Sequence, residues 1–254
     1  MKPRIAIPLP HGTDIEYAER AIPQYERAVE LSGGEPVRIP LDRTPAEVMK
    51  LIEGCDAVLL PGSKADVDPA KFSAERHPKT AAADPKRDTV DELLLQDAYN
   101  MRKPVLGICY GLQILNVYRS GTLLQHIESP VNHEAGRDVP VAHDIKVDPG
   151  SRLAEILFSC ATSKGAQTIA ANSSHHQSAD VAGDGLKIVA RSPQDGIIEA
   201  LEGTVPDHFV LAVQWHPERS FDHDEYSRNI FKALVEAAKQ KHTELTGEFE
   251  NARR

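Results

Sequence analysis

Lys103-Pro-Val-Leu-Gly-Ile-Cys-Tyr-Gly-Leu-Gln-Ile-Leu-Asn116 changes its periodicity part-way along. Val105, Leu106 and Ile108 form a short apolar run that reads as a buried strand. From Tyr110 to Tyr118 the apolar residues fall at helical spacing, with Leu112 and Leu115 on one side. Cys109 therefore occupies a strand-to-helix turn. Gly107 and Gly111 lie two residues to either side of it and remove β-carbons where strand and helix must approach closely. Such a turn raises the thiol and sets it at a helix N-terminus, whose amides and dipole favour a thiolate. A Cys between two glycines reads equally well as a small buried hydrophobe in a tight turn.

A second stretch separates these readings. Phe209-Val-Leu-Ala-Val-Gln-Trp-His-Pro-Glu218 is a buried strand stopped by Pro217, with His216 and Glu218 delivered to its end, 107 positions after Cys109. A sulfur nucleophile needs an imidazole to take and return a proton, and that imidazole needs a carboxylate to fix its tautomer. Cys109, His216 and Glu218 are the candidates for these three roles. The plainer alternative has His216 satisfied by a carbonyl and Glu218 solvated in a loop.

The chain before the turn is built of the same alternation. Ile5 to Leu9 is a strand and Tyr17 to Leu31 a helix halted by Ser32-Gly33-Gly34. Val37 to Pro40 is a strand, Pro45 to Ile52 a helix capped by Thr44, and Ala57 to Leu60 a wholly apolar strand. Apolar runs alternating with helices predict a three-layer α/β/α sandwich around a mostly parallel central sheet. In open parallel sheets ligands bind beyond the carboxyl ends of the strands. Pro61-Gly62-Ser63 and Cys109 both lie just past such ends. Pro-Gly-Ser is an ordinary turn by itself; beside the Cys motif, the amides of Gly62 and Tyr110 become candidates for holding an oxyanion.

Residues 64–86 read as a long polar loop, the kind that is often functional in a compact domain. Asp88 is read as the N-cap of the next helix, which carries Val90, Leu93, Leu94 and Met101. Later strands are expected at 143–147, 168–170, 186–190 and 197–200, with a short helix at 153–157. Their short connections favour antiparallel pairing. An amphipathic helix from Asp224 to Lys239 closes a single domain over residues 1–240, leaving 241–254 as a charged, frayed tail.

Gly-Ile-Cys109-Tyr-Gly-Leu-Gln113 together with Gln-Trp-His216-Pro-Glu218 resembles the class I glutamine amidotransferase superfamily, a flavodoxin-like fold, with Leu-Leu-Pro-Gly62-Ser as its oxyanion-strand segment. Within it, Asp84-Pro-Lys-Arg87-Asp88 and Asn172-Ser-Ser-His-His-Gln177 resemble the gamma-glutamyl-gamma-aminobutyrate hydrolase branch, the peptidase C26 group. The resemblance spans about Ile5 to Lys239. It implies a hydrolase of γ-glutamyl amides that passes through a thioester, with Gln113, Ser174, His175 and Gln177 as substrate contacts and Arg87 near the site. One departure is Ser120-Gly121, where the family usually carries Gly-Gly. Two other activities stay open: a glutaminase subunit feeding ammonia to a separate synthetase, and a non-catalytic binding protein on the same fold.

The 254 residues, 41% of them hydrophobic, suffice for one large core. A net charge of −9 argues against nucleic acid or an anionic membrane as partner and leaves a small γ-glutamyl substrate; a homodimer is the base-rate expectation. Cys55, Cys109 and Cys160 lack zinc or disulfide spacing, and no apolar stretch approaches a membrane span, so a reducing cytoplasm is the expected setting. No cofactor is expected. Eleven histidines raise the question of a metal, but His175 and His176 are adjacent, and neighbours in an extended segment point opposite ways. With no His-Glu-x-x-His helix and no Cys/His cluster, no metal site is expected either.

Overall fold

The computed structural model describes residues 1–158 and 167–252, and the side chains within it as far as residue 247; Cys160 lies outside the described residues. The first half alternates as the periodicity predicts: β1 (Arg4–Pro8), α1 (Ile15–Leu31), β2 (Glu35–Ile39), α2 (Pro45–Glu53), β3 (Ala57–Leu60), α3 (Pro85–Met101), β4 (Val105–Ile108) and α4 (Tyr110–Tyr118). Thr44 and Glu47 form a reciprocal capping box that starts α2. Asp84, not Asp88, caps α3, its carboxylate accepting from the Lys86 and Arg87 amides; Pro85 then takes the first helical position, where its missing N–H costs nothing.

The second half adds β5 (Leu123–Leu124), β6 (His143–Val147), α5 (Arg152–Leu157), β7 (Gln167–Ala171), β8 (Ser178–Ala179), β9 (Leu186–Arg191), β10 (Ile198–Gly203), β11 (Val210–Val213), α6 (Pro217–Ser220) and α7 (Glu225–Ala252). The main sheet runs β2-β1-β3-β4-β11-β10-β9-β6-β7. From β2 to β11 the neighbours are parallel, and from β11 to β7 they are antiparallel, as the short connections require. β5 and β8 pair separately.

Alternation along the strands divides the core into two layers. Ile5, Ile7, Leu59, Leu106, Ile108 and Leu211 pack with Ile22, Val29, Phe231 and Leu234 of α1 and α7. Ala6, Val58, Leu60, Val105 and Ala212 face the other way, onto Ile52, Leu94, Leu95, Leu112 and Leu115 of α2, α3 and α4. Each fully buried aliphatic side chain contributes on the order of 2 kcal/mol from removal from water. This is the expected sandwich. α7 differs from its expected length: residues 241–252 continue the helix rather than forming a tail, and His242 anchors it through a 2.9 Å contact from Nδ1 to Asp56 Oδ1. Among the described residues no helix is long and apolar enough to cross a membrane.

Two central strands, β4 and β11, lie side by side and parallel, and both residues of interest leave their carboxyl ends. That placement sets Cys109 next to His216.

Candidate active site

Cys109 takes φ +55° and ψ −107°, a conformation that non-glycine residues rarely adopt. Its amide donates to Val213 O at 2.8 Å, which ties the turn to β11. The close approach the flanking glycines were expected to permit is present. A β-carbon on Gly107 would stand 2.7 Å from Gly111 O, and one on Gly111 would collide with the Leu60 carbonyl. The Cys109 side chain is thus raised off the end of β4 at the first turn of α4.

His216 is held from two directions. Its backbone is clamped by Asn172, whose Nδ2 donates to His216 O at 2.9 Å and whose Oδ1 accepts from His216 N at 3.0 Å. Its Nδ1 lies 2.8 Å from Glu218 Oε1, and its Nε2 has no hydrogen-bond partner. Burial works against the imidazolium. The Glu218 carboxylate and the Cys109 sulfur more than offset this and lift the His216 pKa to about 9. Burial also opposes the Glu218 carboxylate, but His216 and Arg219 keep its pKa below the usual range. His216 is thus paired with Glu218 and shares one cavity with Cys109.

Cys109 and His216 border a cavity of about 240 Å³ lined also by Tyr17, Ser63, Tyr110, Gln113, Ser174 and Gln177, with Glu218 paired to His216 outside that lining. Gln113 donates to Gln177 O, and Gln177 Nε2 donates to Gln125 O, leaving Gln177 Oε1 without a partner. Ser174 Oγ accepts from Arg219 Nη1 at 2.9 Å.

Three expected roles change. The Gly62 amide donates to Tyr25 Oη at 3.1 Å, so it is already engaged; Ser63, the next residue, lines the cavity instead. Gly62 serves by its smallness, since a β-carbon there would stand 3.1 Å from His216 Cε1. Arg87 is fully buried and does not line this cavity: Nε reaches both Asp91 oxygens at 2.8 Å, while its terminal nitrogens donate to Pro10 O and Pro61 O. It fastens the loops after β1 and β3 beneath the site. His175 borders the cavity, but its Nδ1 is engaged by Gln177 O at 2.9 Å and its Nε2 faces Glu199, 3.8 Å away, without a hydrogen bond.

Three further charged residues, Lys64, Asp66 and Arg219, line the cavity. Lys64 pairs with Asp14 at 2.9 Å, Asp66 lies 3.0 Å from His176 Nε2, and Arg219 follows directly on Glu218. Lys64 and Asp66 lie in the long polar loop, whose length was the only signal for them. Tyr17, pushed up to about 12 by burial, stays a neutral phenol on the cavity wall.

A helix cap, a strained turn and a paired imidazole of this kind suit transfer of an acyl group to sulfur. The family model described as Peptidase C26 matches residues 9–218. A candidate glutamine amidotransferase of Mycobacterium tuberculosis (strain ATCC 25618 / H37Rv) is 39% identical over 219 residues, which cover 84% of this chain and 66% of that protein. The chain thus spans just under two thirds of that relative's length. The gamma-glutamyl-gamma-aminobutyrate hydrolase of Escherichia coli (strain K12) is 32% identical over 225 residues, covering 84% of each. Among solved structures, a candidate GMP synthase subunit from Thermoplasma acidophilum superposes with a TM-score of 0.66 over 97% of this chain and 98% of its own, at 15% identity, a likeness of fold.

Proposed function

The chain belongs to the peptidase C26 family, and on that premise we propose that it hydrolyses γ-glutamyl amides through a γ-glutamyl thioester on Cys109. The observation that carries this reading is the buried His216–Glu218 pair, 2.8 Å apart, beside a nucleophile in a strained strand-to-helix turn.

His216 takes the Cys109 proton, a transfer that the Glu218 charge favours. The sulfur then attacks the γ-carbonyl carbon, and the carbonyl electron pair moves onto oxygen. The amide of Tyr110, at the first helical position of α4, has no intrahelical acceptor and can donate to this oxygen, with the Ser63 amide as second donor in place of Gly62. Collapse expels the amine, which takes the proton from His216. His216 next removes a proton from water, hydroxide adds to the thioester, and glutamate leaves as the thiolate returns.

A glutamyl group carries an α-carboxylate and an α-ammonium, and the rim offers both complements. Arg219 and Lys64 suit the carboxylate, and Asp66 suits the ammonium. Gln113, Ser174 and Gln177 complete the polar wall. A 240 Å³ cavity is small, and matches a glutamyl moiety with its amine directed outward.

The name of the Mycobacterium relative favours a second reading, a glutaminase that passes ammonia onward. Incubating the purified chain alone with γ-glutamyl-γ-aminobutyrate and with glutamine separates the two. Turnover of the first substrate with little of the second supports the proposal. In either case Cys109→Ala should lower the rate by at least ~10³-fold, and full activity in that variant refutes the thioester.

A further inference from the structure

Away from the catalytic cysteine, four side chains from distant parts of the sequence meet in the interior: His133, His143 at the start of β6, His175 after β7, and Glu199 within β10. All are buried, and their facing atoms lie within 4.8 Å of one another. Glu199 Oε1 is 3.4 Å from His133 Nδ1, 3.4 Å from His143 Nε2 and 3.8 Å from His175 Nε2. None of these four atoms has a hydrogen-bond partner, and neither does Glu199 Oε2.

The outward nitrogens explain the chemical state of the inward ones. His133 Nε2 lies 2.8 Å from Asp195 Oδ2, His143 Nδ1 lies 3.1 Å from Asp144 O, and His175 Nδ1 lies 2.9 Å from Gln177 O. Carboxylates and carbonyls only accept, so each ring carries its proton on the outward nitrogen. In a neutral ring the inward nitrogen is then a bare lone pair. Three lone pairs and a carboxylate thus face one another in a dry interior, an arrangement that is unfavourable unless something positive stands among them.

A water molecule has two protons to donate, too few for four acceptors. Shared protons fit poorly as well, because charge-assisted hydrogen bonds run at about 2.7–2.9 Å, and the separations here are 3.4–3.8 Å. The two separations of 3.4 Å match a different object, and the group as a whole lies within 4.8 Å. Four ligands at about 2.0–2.1 Å from a tetrahedral ion are about 3.3–3.4 Å apart. Charge also balances, since Glu199 and the outer carboxylate Asp195 together neutralise a dication.

We propose that His133, His143, His175 and Glu199 form a closed, four-coordinate site for a structural divalent transition metal, zinc by its nitrogen and oxygen donors. The ion fastens the 172–177 segment to β6 and β10 and so fixes one wall of the catalytic cavity. His133 is already drawn toward that segment, its carbonyl accepting from Ser173 Oγ at 2.7 Å and from the His175 amide at 2.9 Å. With all four positions taken by protein, the site leaves none open for substrate, and its role is to hold the backbone.

The test is elemental analysis and native mass spectrometry of the full chain purified without a histidine tag from zinc-supplemented cells. One zinc per chain is expected. After removal by a chelator, the thermal midpoint should fall, and cobalt(II) added to the apo chain should give the intense visible bands of tetrahedral coordination. His143→Asn and Glu199→Gln should each lose the stoichiometric zinc. The wild-type measurements keep the proposal refutable even where a variant misfolds. If folded wild-type chain, checked by circular dichroism, retains no zinc and the apo form takes up neither zinc nor cobalt at micromolar concentration, the four groups are held by shared protons and the proposal is overturned.

Discussion

Replacing Glu218 by Gln removes one charge while keeping the shape of the side chain, and an amide oxygen can still accept from His216 Nδ1. In the native protein, His216 is lifted from 6.5 to about 9 although burial opposes its charge, with Glu218 the foremost supporting group and Cys109 next. A rise of that size corresponds to on the order of 3 kcal/mol favouring the imidazolium. Without Glu218 the desolvation cost remains and its main compensation is gone, so the pKa of His216 should drop below its ordinary value. Alkylation of Cys109 by iodoacetamide, followed by intact mass across a pH series, reads this directly. In the native chain the alkylation profile should change where His216 loses its proton, near pH 9; in Glu218→Gln that feature should move to lower pH. kcat/KM should fall by ~10²–10⁴-fold, with its alkaline limb displaced. Stability follows the same linkage. A folded pKa above the unfolded value of 6.5 contributes stability that is complete below 6.5 and lost as pH rises through about 9. Denaturant melts of the native chain should therefore weaken over that window, and those of Glu218→Gln should lack this component. An unchanged pH profile of alkylation in Glu218→Gln would refute the electrostatic argument.

Gly62→Ala places a methyl group 3.1 Å from His216 Cε1 and 3.2 Å from Tyr25 Oη. The imidazole must shift, and kcat should fall ~10–100-fold with KM little altered, as steady-state kinetics would show. Arg87→Met leaves Asp91 buried without its partner, and should cost about 3–5 kcal/mol in urea melts; adding Asp91→Leu should recover most of it. Ser120 holds φ +68°, where a β-carbon is strained. Ser120→Gly should therefore raise stability by about 0.5 kcal/mol, the relief of the left-handed conformation less the extra chain entropy of glycine.

Periodicity sufficed for the parallel half of the fold, because a strand buried on both faces is continuously apolar and a helix beside it is not. Val105 to Ile108 and Val210 to Val213 could be recognised by that signal alone, and with them the rim where Cys109 and His216 meet. The cap of α3 was misplaced because Asp84 and Asp88 both precede apolar residues at helical spacing; Pro85, as a first-turn residue, was the discriminating sign. Side-chain direction was harder. Arg87 has the charge expected of a substrate contact, and only the carbonyls of Pro10 and Pro61, brought together by the folding of β1 and β3, reveal it as a framework residue. Nor does a sequence disclose that the Gly62 amide meets a tyrosine hydroxyl 37 positions away. The departure at Ser120 was readable, and the backbone passes there in the left-handed conformation that a glycine would adopt more easily.

The histidines illustrate how a sound local argument can lead to an incomplete conclusion. Alternation in an extended segment does separate His175 from His176, and the structure turns them to different surroundings, His176 to Asp66 and His175 inward to Glu199. That separation excludes the pair as joint ligands. It says nothing of partners supplied by other strands. The same alternation gives the segment two faces: Ser173 and His175 engage His133 and its neighbours, while Ser174 and His176 engage Arg219 and Asp66. Asn172, where the segment begins, clamps the His216 backbone. Any displacement of the inner face must therefore move the outer one, because the two share a peptide backbone of six residues with no slack between them. Chelation of the proposed ion should consequently raise KM for a γ-glutamyl substrate and also slow alkylation of Cys109, because Asn172 holds the His216 backbone and the Gln214 amide, at the end of β11, donates to Glu199 O at 2.8 Å.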